Sequence, residues 1–232
     1  MPEPEPPEIV LERGKYGGPR FEGLADAAVL VVDMINDFGH PDGVYGRNGV
    51  HCDSFPAAAR AAGAVVRAAL ASGIPTVAAN QFVFADRAGR AVAGGGLVEG
   101  RPWLESDGLR TGTWGVELVA DIPRTDYVVE KPRASAFFGT PLEVLLRGLG
   151  VTTLVVVGCY TNQCVDSTVR DAWARDFRIV IVTDAVAAFD PVLHDAALQS
   201  LRPLASEIGS EAVIALLAVS DLSMPDDQPE RG

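Results

Sequence analysis

Residues Thr152–Ala172, TTLVVVGCYTNQCVDSTVRDA, decide how this chain is read. The apolar, β-branched run Leu154–Val157 breaks at Gly158, and the sequence after it reads as helix. Near the first turn of that helix stands Cys164. A thiol there meets unpaired backbone N–H groups and the positive end of the helix dipole, which favour thiolate over thiol. The same N–H groups suit a developing oxyanion. Strand, tight turn, nucleophile and helix is the layout that a covalent hydrolase needs.

Working outward, Ala27–Asp33 (AAVLVVD) is a continuous apolar run that ends in a carboxylate, as in a buried parallel strand. Residues 56–72 form an Ala-rich helix, with Pro56 at its start and Gly73 just past its end. Further strands are expected at Ile74–Phe82, Tyr127–Glu130, Thr153–Val157 and Ile179–Thr183, with Ala212–Ala218 as a sixth. Helices at 140–149, 162–175 and 192–207 alternate with them. This alternation predicts an α/β fold: a three-layer α/β/α sandwich around a mostly parallel six-stranded sheet, Rossmann-like, with right-handed crossovers. Ligands of such sheets bind beyond the carboxyl ends of the strands. Asp33 follows the first strand, Lys131 the third, and Cys164 lies just beyond the fourth, so three reactive residue types reach one edge.

A chain of 232 residues suffices for one large domain, placed at residues 24–220, and nothing demands a second. Residues 1–23, rich in Pro, Glu and Gly, read as an extended arm, and 221–232 as a flexible tail. The net charge of −12 argues against nucleic acid and anionic membranes as partners. No apolar run approaches a membrane span, and MPEPEPPE is unlike a signal peptide. Three cysteines without framework spacing fit a reducing, cytoplasmic setting. Lys15 and Lys131 are the only lysines in an arginine-rich chain, and a compact ammonium serves where a wide guanidinium cannot.

Each reactive residue has an ordinary reading beside the chemical one. Cys164 is either the nucleophile or a buried structural thiol; Cys159, closing a strand, reads as structural. Asp33 is either the base that takes the thiol proton or a cap on the next turn, and Asp37 reads as structural. Lys131 either pairs with Asp33 or makes a surface ion pair with Glu130. Residues 84–112 form a long, glycine-rich connection above the same edge, read as a lid with Trp103 or Trp114 as candidate walls, or as plain surface loop.

Three motifs, VVDMINDF (31–38), EKPRASAFFGTPL (130–142) and GCYTNQCVDST (158–168), resemble the isochorismatase-like cysteine hydrolases, over about residues 26–218. The resemblance implies a triad of Asp33, Lys131 and Cys164, a cis peptide before Tyr160, and an oxyanion hole from the N–H groups of Tyr160 and Cys164. Phe38, Arg133, Phe138 and Asn162, with Tyr160, are candidates for gripping a small-molecule substrate. Arg133, two residues past Lys131, would meet an anionic end of the substrate if it turned inward. A homodimer or homotetramer is implied as well. Nicotinamidases carry an Asp-x-His metal motif after the second strand; Asn80, Gln81 and Phe82 stand there, and His51 with Asp53 makes a weak ligand set, so neither metal nor cofactor is expected.

Ile35 stands where the family usually has Gln, and residues 84–112 match no part of it; both leave the substrate open. The match is nearest the branch that cleaves ureido or carbamoyl amides, which implies hydrolysis of a small C–N bond through a thioester. Two other readings stay open: a vinyl ether hydrolase using Asp33 as acid, and a non-catalytic binding protein.

Overall fold

The first apolar run forms β1 (Ala27–Val32), with all six residues buried. A computed structural model describes residues 23–220. The expected tail, and the expected arm except for Gly23, lie outside the described residues. Two single turns follow β1, α1 (Asn36–Gly39) and α2 (Val44–Arg47). Helix α3 (Phe55–Ala71) has Pro56 in its first turn and buries Ala58, Ala62, Val65, Val66 and Ala69 at helical spacing. Then come β2 (Thr76–Gln81), α4 (Gly95–Glu99), β3 (Tyr127–Lys131), α5 (Leu142–Gly148) and β4 (Thr153–Cys159). The described residues end with α6 (Asp166–Trp173), β5 (Arg178–Ala187), α7 (Pro191–Leu201), β6 (Ser206–Ile208) and α8 (Ser210–Ser220).

The strands lie in the order β3-β2-β1-β4-β5-β6, and every neighbouring pair is parallel. Alternate side chains feed two cores. Val29, Val31, Val155 and Val157 pack with α3 and α8 on one face. Leu30, Val32, Leu154 and Val156 pack with α5, α6 and α7 on the other. The expected three layers are therefore present. From β1 the chain winds to β2 and β3 on one side and then returns to β4 on the other, so the switch point lies between β1 and β4.

Three expectations are corrected. Ala212–Ala218 is not the sixth strand but part of α8; the sixth strand is the short edge segment Ser206–Ile208. A short apolar run fits a buried helix as well as a strand, and this one covers the sheet. The helix expected at 192–207 stops at Leu201 to free that edge strand. The helix expected at 162–175 begins instead as a π-helical turn, Thr161–Val165, which runs into α6.

Candidate active site

Asp33 leaves β1 with φ +57, so its side chain departs from the strand's alternation and stays at the sheet edge. Gly158 presses the end of β4 against β1: an added Cβ would lie 2.1 Å from the Val32 carbonyl oxygen, and φ is +141. The next two residues are joined by a cis peptide, Cys159–Tyr160. The chain then enters the π-helical turn that carries Cys164 back over the sheet edge.

The three expected residues meet there. Lys131 Nζ lies 2.6 Å from Asp33 Oδ2, and both side chains are fully buried, at 0 % exposure. The Gln81 backbone N–H donates to Asp33 Oδ1 at 2.6 Å, while Lys131 Nζ donates to Gln81 Oε1 (3.0 Å) and the Arg133 carbonyl (3.2 Å). The short contact of Oδ2 is with the ammonium. Cys164, 7 % exposed, interacts electrostatically with both members of the pair.

Burial sets the protonation states. It raises the Asp33 carboxyl above its ordinary range, and the charge of Lys131 with the bonds from Lys131, Cys164 and Gln81 only partly offsets this. Burial works to lower the Lys131 ammonium, but Asp33 and Cys164 outweigh it, and its pKa is raised. Burial pushes the Cys164 thiol up to about 12, opposed by Lys131 and reinforced by Asp33. The helix start, which by itself favours thiolate over thiol, does not decide the matter here. The thiol is desolvated beside a carboxylate, and that outweighs any help from the helix start.

Cys159 is structural, as expected: its buried Sγ donates to the Asp33 carbonyl at 3.0 Å and burial holds its pKa well up. Asp37 is structural too, its oxygens accepting from the Val44 and Leu109 N–H groups. That second bond clamps the end of segment 84–112 to α1. Phe38 is buried against Tyr45 and Tyr160, and its carbonyl accepts from the Tyr160 hydroxyl. Asn162 sits half-buried within the π-helical turn.

Two of the expected substrate contacts lie at the surface. Phe138 is 60 % exposed. Arg133 is exposed and turns its guanidinium onto the Pro132 carbonyl, because the chain leaves β3 at Lys131 and strand alternation no longer aims the side chain inward. Arg133 serves the site only through its carbonyl. Trp114 is also exposed, packed on His40, whereas Trp103 packs against the Tyr45 ring. Gln81, which touches both members of the ion pair, was missed; its position at the end of β2 in line with Lys131 (register Gln81↔Lys131) is the signal that could have found it.

The isochorismatase domain family matches residues 27–212. The chain belongs to that family. Ureidoacrylate amidohydrolase RutB of Methylobacterium radiotolerans is 37% identical over 217 residues, covering 82% of this chain and 81% of the relative. The solved structure of N-carbamoylsarcosine amidase from Thermoplasma acidophilum superposes with a TM-score of 0.64 at 30% identity, covering 80% of this chain and 97% of the other. Nicotinamidase PncA of Bacillus subtilis gives a TM-score of 0.63 at 28% identity, covering 79% and 99%.

The nicotinamidase type of metal site does not fit the residues in this isochorismatase-family chain. Asn80 donates its amide to the Val116 carbonyl, and the Phe82 ring packs on Phe84. Among the described residues no three His, Cys, Asp or Glu side chains gather as a ligand set. Also among the described residues, no helix is long and apolar enough to cross a membrane.

Proposed function

We propose that the protein is a cysteine-dependent amidohydrolase that cleaves a C–N bond of a small amide, ureide or carbamoyl amine. The observation that carries this reading is a buried thiol set beside a buried carboxylate–ammonium pair. Asp33 takes the Cys164 proton as sulfur attacks the substrate carbonyl. The oxygen that becomes negative is held by the Tyr160 and Cys164 amides. As the C–N bond breaks, Asp33 returns the proton to the departing ammonia or amine and leaves a thioester on Cys164. Asp33 then draws a proton from water, hydroxide attacks the thioester, and the proton returns to sulfur as the acid departs. Lys131 stays charged throughout and holds Asp33 in place.

Relatives named for ureidoacrylate and N-carbamoylsarcosine support the ureide and carbamoyl part of the reading. The proposal includes a cytoplasmic setting, in keeping with three free thiols. It also includes a homodimer or homotetramer, carried over from the family resemblance.

A panel of primary amides, ureides and carbamoyl amines, scored by ammonia or amine release, tests this reading. At least one class should turn over with the native protein and with Cys159→Ala, but not with Cys164→Ala. Turnover that survives thiol alkylation would favour acid-driven ether chemistry by Asp33 instead.

A further inference from the structure

Segment 84–112 brings two hydrogen-bond donors without acceptors, Arg101 and Trp103, to the ring of a third, Tyr45. Tyr45 is buried to 1 % exposure between Phe38, Trp103, Tyr160 and Phe189. Among the described residues its hydroxyl has no hydrogen-bond partner. Trp103 packs edge-on against the same ring, centroids 6.4 Å apart, and its indole Nε1 is buried with no partner. The Arg101 guanidinium lies 5.4 Å from the Tyr45 ring centre, and its side chain makes no ion pair or hydrogen bond among the described residues.

Two other arginines of the segment are held within it, and Arg87 is exposed at the surface. Arg90 is held by Asp86, and Arg110 spends its guanidinium on the Gly89, Leu104, Glu105 and Gly108 carbonyls. A buried donor left unpaired, as the Trp103 indole is, is costly, and with the unpartnered Tyr45 hydroxyl and the half-buried Arg101 guanidinium at the same ring it calls for an acceptor that arrives from outside. The place is electrically continuous with the reacting centre: Tyr45, whose hydroxyl burial holds un-ionised, feels the Arg101 charge on the one hand and Cys164, Asp33 and Cys159 on the other. Its ring also neighbours that of Tyr160, whose amide flanks the scissile carbonyl in the mechanism above.

We propose that Tyr45, Arg101 and Trp103 form the subsite that takes a carboxylate at the end of the substrate remote from the scissile bond. The preferred substrates are then short carboxylic acids bearing an amide or ureide at the far end. This rests on the amidohydrolase reading and gives segment 84–112 its role: it selects the substrate. Arg101 supplies a planar fork for the carboxylate, Trp103 and Tyr45 a single donor each, and the surrounding rings an apolar wall.

The probes are a short ω-ureido carboxylic acid and its methyl ester, alike but for charge. Arg101→Gln should raise KM for the acid by about 10- to 100-fold and leave kcat within about threefold, as loss of a charged hydrogen-bonded contact does. KM for the ester should move far less, and Arg101→Lys should recover part of the loss. Trp103→Phe keeps the ring and drops the N–H, so KM for the acid should rise by about fivefold or more. Equal shifts for acid and ester would overturn the subsite. Calorimetric binding of a saturated carboxylic acid without the amide, measured on Cys164→Ala with and without Arg101→Gln, reads the subsite without hydrolysis. Binding that Arg101→Gln abolishes, with no ureide hydrolysed by the native protein, would remove the amidohydrolase reading and keep the subsite. Hydrolysis with binding indifferent to Arg101 would do the reverse.

Discussion

Replacing Lys131 by Met removes the positive half of a fully buried ion pair and leaves Asp33 without it. At 2.6 Å the attraction is worth about 6 kcal/mol with an effective dielectric near 20. The protein need not lose all of it, because Asp33 can escape by taking a proton. From an ordinary carboxyl pKa of 3.8, that escape costs about 4 kcal/mol at pH 7. The single variant should therefore lose about 4 kcal/mol, in line with other broken buried pairs. Asp33→Asn similarly strands the ammonium. The double variant strands neither charge and should lose less than the sum of the singles, by at least about 3 kcal/mol.

The pH dependence follows from the same escape. A carboxyl whose folded pKa lies above its unfolded value favours folding at low pH and loses that contribution as pH rises through the folded pKa. The Lys131→Met penalty should therefore shrink towards acid over the range in which the native Asp33 stays ionised. Urea unfolding of the four proteins at pH 7 and pH 5, followed by fluorescence and circular dichroism together, measures all of this. An additive cycle, or a penalty that does not change with pH, would refute the buried pair.

Gln81→Leu keeps the backbone bond to Asp33 but removes the acceptor for Lys131, so kcat should fall by about 10- to 100-fold with KM little changed; steady-state kinetics decides it. The rate of Cys164 alkylation should keep climbing with pH beyond about pH 9, because the thiol ionises near 12, and a plateau below pH 9 would contradict that. The acid limb of kcat/KM should lie above the ordinary carboxyl value of 3.8, since activity disappears as the raised Asp33 takes a proton. Gly158→Ala should destabilise the fold by more than about 3 kcal/mol, or prevent folding, as its Cβ would meet the Val32 carbonyl oxygen; thermal unfolding or soluble yield reads it.

Strands β1 and β4 were legible because a strand buried on both faces must be apolar throughout, and Leu154–Val157 could hardly be anything else. β6 was not: Ser206–Ile208 is a three-residue edge strand whose place comes from pairing with β5, while the more apolar 212–218 covers the sheet as helix. Asp33, Lys131 and Cys164 could be picked from sequence because residue type and strand ends coincide. Their protonation could not, since the Cys164 thiol is governed by burial, which follows from the whole packed edge. Which way Arg133 turns was open in the sequence because β3 ends at Lys131, and the rule for alternate side chains ends with it. Arg101 and Tyr45 lie more than fifty residues apart and meet only through the fold, where Asp37 clamps Leu109 beside α1.

The central claim is that Cys164 carries the acyl group. Acid-quenching the native protein early in turnover of an accepted ureide or amide, followed by intact-mass measurement and peptide mapping, tests it most directly. The account predicts a mass increase equal to the acyl group, located on Cys164, released by hydroxylamine and absent from Cys164→Ala. An adduct on Cys159, or full turnover by Cys164→Ala with no adduct at any time, would contradict it.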